Sequence, residues 1–144
     1  MLRQTYNYAT LFTWNPRSIV GSYTNSGGSA VTLPMGTVFG QAFAGTQTNG
    51  YNTVLPSVST ATDGSQDPIG LLAQTITVAA GVTVTVTLIG QGDIAQGGVI
   101  FNNGTDTLWT EVTIASNVEG TYYSRMIGKG MWLVPTTEGT YLDN

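Results

Sequence analysis

The chain has 144 residues, with 4 Lys or Arg against 8 Asp or Glu, no His and no Cys, and a formal net charge of −4. Without imidazole or thiol there is no ordinary neutral-pH proton shuttle, thiolate nucleophile, disulfide or zinc site. Four cations cannot build a phosphate-binding patch, which excludes nucleic acid as a partner.

The 24 Thr and 19 Gly, in a chain that is 41% hydrophobic and 10% aromatic, predict an ordered, mainly β protein of short strands and turns rather than a disordered one. The length suits one domain, or one domain with an arm. No apolar run approaches the roughly 18 residues of a membrane span, and Met1-Leu2-Arg3-Gln4-Thr5 lacks the apolar core of a secretory signal, so no membrane partner is expected.

In chain order, residues 1–62 carry Arg3 and Arg17 and no acid, while residues 63–144 carry all eight acids with Arg125 and Lys129. Residues 1–30 set Tyr6, Tyr8, Phe12, Trp14 and Tyr23 before the stretch Asn25-Ser26-Gly27-Gly28-Ser29, without a sustained helical or alternating period. This predicts an extended N-terminal arm ending in a hinge, with a β-rich domain over 31–144. The arm aromatics have little local reason to fold and read as anchors awaiting a partner.

From Val31 the chain is punctuated by Gly, Pro, Asn-Gly and Asp-Gly, with Gly36, Gly40, Asp63, Gly64, Pro68 and Gly70 among the expected turn positions. Strands between them must be short, and candidates lie at 36–43, 51–55, 69–73, 98–101, 107–114 and 131–135. The clearest strand is Val82-Thr83-Val84-Thr85-Val86-Thr87-Leu88, with Val and Leu on one face and Thr on the other. Gln74–Val78 alternates likewise, and Ala79-Ala80-Gly81 joins the two as a hairpin or as successive strands rounding a barrel corner. Val118, Tyr122, Arg125 and Met126 fall at helical spacing before Gly128, which predicts one short helix, with a further strand as the alternative.

Residues with possible chemistry read more simply as structure. Gly90-Gln91-Gly92 lacks the third glycine and the helix of a dinucleotide loop, and Gly128-Lys129-Gly130 lacks the frame of a phosphate loop. Asp63-Gly64-Ser65-Gln66-Asp67 could offer hard oxygens to Ca²⁺, but an Asx turn with Gly64 at positive φ is the simpler reading. Asp106, Glu111 and Glu119 could converge as a carboxylate pair, yet nothing singles them out. No cofactor, no metal, no small-molecule substrate and no enzymatic activity are expected. Phe39, Phe43, Tyr51, Phe101, Trp109 and Trp132 lie in strand-like segments and read as core or subunit-interface residues.

Four segments carry a resemblance: Leu33-Pro34-Met35-Gly36-Thr37-Val38-Phe39-Gly40, Ala61-Thr62-Asp63-Gly64-Ser65-Gln66-Asp67-Pro68-Ile69-Gly70-Leu71-Leu72, Val78–Val84, and Gly90-Gln91-Gly92-Asp93-Ile94. In this order, over about residues 31–102, they resemble the bacteriophage head-decoration (capsid cement) proteins of the phage lambda type. The resemblance implies a small β-barrel or β-tulip-like domain that trimerises and sits on the outer surface of the expanded capsid. It also implies an N-terminal arm that adds a strand to the major capsid protein, after a stay in the host cytoplasm before assembly.

On that basis Tyr6, Tyr8, Phe12, Trp14 and Pro16 are the expected capsid contacts, with Arg17 steering the arm toward acidic coat surface. Phe39 and Trp132 are the expected homotrimer contacts, from size and hydrophobicity alone. Removing residues 1–20 is expected to leave a folded domain. The alternative function is a carbohydrate-binding or adhesive β domain, with Trp109, Trp132 and Tyr51 as sugar-stacking platforms.

Overall fold

A computed structural model describes residues 12–43, 47–114 and 117–135, with only the backbone considered for 12–15. The protein is mainly β. In chain order the strands are β1 (Phe12–Thr24), β2 (Val31–Leu33), β3 (Val38–Gln41), β4 (Gln47–Thr48), β5 (Tyr51–Asn52), β6 (Val54–Pro56), β7 (Pro68–Leu72), β8 (Ile76–Val78) and β9 (Thr83–Ala95). A 3-10 turn (Gln96–Gly98), β10 (Glu111–Ile114), β11 (Asn117–Thr121), helix α1 (Tyr122–Gly128) and β12 (Met131–Val134) complete the order.

The main sheet runs β1-β9-β7-β3-β6, and β12 lies parallel to the far end of β9. Consecutive strand residues point to opposite faces, so a strand buried on both sides must be apolar at successive positions. β3 and β7 meet this condition. Val38 and Leu71 face one core with Ile94, Met126, Met131 and Leu133, while Phe39 and Leu72 face a second with Tyr23, Leu33, Val54, Val78, Val86 and Leu88. Each fully buried Leu, Phe or Met contributes about 1.5–3 kcal/mol of apolar burial.

β9 serves both cores because it changes face midway. Ser18 pairs with Ile89 and Arg17 with Gln91, one step on β1 against two on β9, so Gly90 is the extra residue of a bulge. Leu88 therefore faces the second core and Ile94 the first, although their spacing alone would put them on one face.

The alternating segment behaves as expected: Val86 and Leu88 are buried and Thr85 and Thr87 exposed, with the pattern fading at exposed Val82. β8 pairs with β2 rather than β9, so the two alternating segments are successive strands rounding a corner. The helix is present but starts at Tyr122. Gly120, at φ 99°, lies one residue before the end of β11, and the Thr121 side chain caps α1 by accepting from the Ser124 amide at 3.2 Å.

Several expectations are corrected. The sheet curls, and its two ends meet at one parallel bridge, Ser22 to Thr53, but no ladder closes it into a barrel. Residues 12–24 are not an arm outside the domain: they form β1, the antiparallel partner of β9, and Tyr23 is buried against the Phe39 ring edge at 5.8 Å.

The supposed hinge is clamped. Asn25 is buried, donates through Nδ2 to the carbonyls of Ser29 and Val78 at 2.9 Å each, and accepts the Gly27 amide on Oδ1 at 3.0 Å. Its own backbone amide donates to Val82 and its carbonyl accepts from Gly81.

Of the expected turn positions, Gly36, Asp63 and Gly64 lie in turns, whereas Gly40, Pro68 and Gly70 lie in strands. Gly40 is required by crowding, because a Cβ there would collide with the Ser65 carbonyl where the 63–67 turn folds over β3. The expected strand at 98–101 reduces to a bridge at Ile100, and that at 107–114 begins only at Glu111.

Candidate interaction surface

β1 positions the most distinctive surface. Gly21 to Tyr23 are buried, but Pro16 to Val20 are exposed at five successive positions, so both faces of this stretch meet solvent. Ile19 is 41% and Val20 45% exposed. One edge of β1 is occupied by β9; along the other, among the described residues, only the Ser22–Thr53 bridge is formed. Unpaired backbone N–H and C=O groups on such an edge are a template for another strand. Pro16, which has no N–H, is tolerated there because edge strands need not donate at every position.

Beside this edge lies an open groove of about 450 Å³, where Arg17, Ile19, Ile69, Gly90, Gln91 and Lys129 meet. Its two cations differ. Lys129 donates to Asp67 at 2.6 Å and to the Pro68 carbonyl at 2.8 Å, while Arg125 reaches Asp67 through Nε at 2.8 Å and Nη2 at 2.7 Å. These bonds tie α1 and the residue after it to the start of β7. Burial disfavours the Asp67 carboxylate, but hydrogen bonds and charge from Arg125 and Lys129 outweigh it and hold its pKa below the ordinary value. Arg125 is made more basic by its hydrogen bond to Asp67, against a smaller effect of burial. Among the described residues Arg17 forms no ion pair, so its charge is available to a partner.

Tyr6 and Tyr8 lie outside the described residues. Phe12 and Trp14 are placed by backbone only, opposite Ile94 and Asp93, where two register shifts loosen the ladder. Pro16 and Arg17 are exposed on the β1 edge.

Phe39 cannot be a subunit contact, because it is 0% exposed at the centre of the second core. Trp132 is 59% exposed on β12, between buried Met131 and Leu133. Phe43, Tyr51 and Trp109 are exposed too, whereas Phe101 packs partly buried on Tyr122 at 4.7 Å.

The carboxylates serve the fold. Asp63 accepts from the Ser65 amide at 3.0 Å and hydroxyl at 2.6 Å, with Gly64 at φ 95°, the Asx turn read from the sequence. The Ser65 hydroxyl, aided by backbone amides, overcomes burial and lowers the Asp63 pKa. Asp106 binds the Ser59 amide and hydroxyl, each at 2.7 Å, and Glu119 lies 3.9 Å from Arg125. Among the described residues no three acids gather as a metal site, and no helix is long and apolar enough to cross a membrane.

Ile19, Val20, Ile69, Gln91 and Lys129 were not singled out from the sequence. The β-branched pair Ile19-Val20 beside Arg17 was the available signal for an exposed strand. Compared with protein-family models, curated proteins and solved structures, the chain matches none.

Proposed function

We propose that this chain is a non-enzymatic decoration protein of a phage head, which binds the outside of the expanded shell as a homotrimer and bridges neighbouring major capsid proteins. The observation that carries this reading is the outer edge of β1, exposed over Pro16–Val20, with Arg17 forming no ion pair among the described residues. An extended coat segment can add to such an edge through backbone hydrogen bonds, with Ile19 and Val20 supplying apolar contact and Arg17 selecting acidic surface. The resemblance across residues 31–102 supplies the partner class.

The mechanism is mechanical. Each bound subunit raises the free energy of separating capsomers, which opposes internal DNA pressure. If three subunits engage together, each edge after the first binds at an effective concentration of roughly millimolar order, so weak single contacts give durable attachment. Trp132 is the exposed aromatic we assign to the contact between subunits.

The test is sedimentation with expanded capsids of Arg17→Glu and Ile19→Asp variants. Each substitution is expected to weaken binding about ten-fold or more while leaving the thermal midpoint unchanged, since both side chains are exposed. Wild-type affinity in both variants would refute the β1 edge as the docking site.

A further inference from the structure

A second groove lies away from β1, between the 3-10 turn and the loop that precedes β10. It has a volume of about 710 Å³, within the range of small-molecule sites, and Gln96, Phe101, Asp106, Thr107, Trp109 and Pro135 line it. Trp109 is its unusual element. Its neighbour Leu108 is buried and does the packing for this turn, while Trp109 remains 62% exposed. One side of the indole is covered by the Tyr123 ring, with centroids 4.8 Å apart and planes 25° from parallel. The rest is open to solvent.

The turn that presents this indole is fixed at several points. The Thr107 hydroxyl accepts the Trp109 amide at 3.2 Å, the Thr107 amide donates to the Thr110 hydroxyl at 2.9 Å, and the Tyr122 and Tyr123 amides donate to the carbonyls of Thr110 and Leu108. An exposed indole costs hydration free energy, and here it is held in one orientation, so a ligand would lose little entropy in ordering it.

The groove's charge selects the class of ligand. Among the described residues no cation lines it, which disfavours phosphate and carboxylate ligands. The acid among those residues, Asp106, already uses both oxygens on Ser59. What remains is an apolar aromatic plate beside uncharged donors and acceptors: the Gln96 amide, the Thr107 hydroxyl and backbone at Gly97 and Gly104. A pyranose ring matches this combination, because its C–H face is apolar and its rim carries neutral hydroxyls.

We propose that this groove is a binding site for neutral oligosaccharides, with Trp109 as the stacking platform. On an outer capsid surface such a site would give weak, multivalent adhesion to glycans. It is independent of the β1 edge, and either property can exist without the other.

The experiment follows the Trp109 indole N–H resonance of the full chain during titration with cellotetraose, maltotetraose and tetra-N-acetylchitotetraose, in wild type and in the Trp132→Ala variant. At least one sugar is expected to give a saturable shift with half-saturation at about 0.1–10 mM, a range normal for a single stacked contact. Isothermal titration calorimetry of wild type and both the Trp109→Ala and Trp132→Ala variants should report affinity weakened about ten-fold or more by Trp109→Ala and changed less than about two-fold by Trp132→Ala.

No saturable shift with any of the three sugars would overturn the proposal. So would equal affinity in the Trp109→Ala variant, or a change of oligomeric state in that variant without sugar binding. The exposure of Trp109 makes loss of folding an unexpected outcome, and circular dichroism of the variant checks it.

Discussion

Asn25 joins three segments that composition alone would leave separate. Its two amide hydrogens reach Ser29 and Val78, and its side-chain oxygen caps Gly27. Truncation would remove the bond to the buried Val78 carbonyl along with those to Ser29 and Gly27, so Asn25→Ala is expected to destabilise the protein by about 1–3 kcal/mol in urea unfolding. Local chemistry made the Asp63-Gly64 turn legible, since its partners are two residues away. Asn25 was not legible, because Val78 lies 53 positions further along the chain.

Tyr122 is fully buried, and its hydroxyl bonds the Ser57 hydroxyl at 2.9 Å. Burial pushes its pKa up to about 12, against the hydrogen bond from Ser57 and with a smaller push from Asp106 and Asp67. The folded value lies above the unfolded one, so the stability contributed by the neutral phenol is complete below about pH 10. It is lost as pH rises from about 10 to about 12. Tyr122→Phe should cost about 1–2 kcal/mol at neutral pH, by leaving the Ser57 hydroxyl without this partner, and should flatten that alkaline loss. Urea unfolding at a series of pH values reads both effects.

At the scale of elements, β9 explains why some strands could be read and others could not. Its first half is buried on one face, so Thr85–Leu88 alternates, with Val86 and Leu88 buried and Thr85 and Thr87 exposed. Its second half follows the Gly90 bulge, changes face and accepts β12 in parallel, and the alternation disappears. β1 was missed for the same reason. Its ladder has three register irregularities, and the partner that orders it is some 60 or more residues away in sequence.

The truncation expected from sequence therefore changes. Starting the chain at Phe12 keeps every contact among the described residues, whereas removing residues 1–20 strips the pairing partners of Leu88, Ile89 and Gln91. The longer deletion should lose on the order of 3 kcal/mol or more and expose the β9 edge to aggregation, which calorimetry and light scattering would show.

For the whole molecule, mainly β architecture followed from Thr, Gly and the absence of long apolar helices, because those residue choices act locally. Closure did not follow from the sequence. Whether a curled sheet becomes a barrel depends on whether its ends pair, and here Gly21 meets Val54 closely while only Ser22 and Thr53 form a bridge. Phe39 was misplaced for a related reason: size and hydrophobicity mark burial, but they do not say whether a domain core or a neighbouring subunit supplies it.

Lys129 lines the same groove as Arg17 but is held by Asp67, as is Arg125, whereas among the described residues Arg17 forms no ion pair. Under the proposed decoration role, substitution of Arg17 is therefore expected to alter binding without disturbing the Asp67 ion pairs. The most direct test mixes the purified protein with empty expanded and unexpanded capsids of a candidate phage host particle and counts bound copies after sedimentation. Saturable binding to expanded shells alone, at a copy number in multiples of three per symmetry site, is the expected result. Absence of binding to both shells would contradict the decoration role.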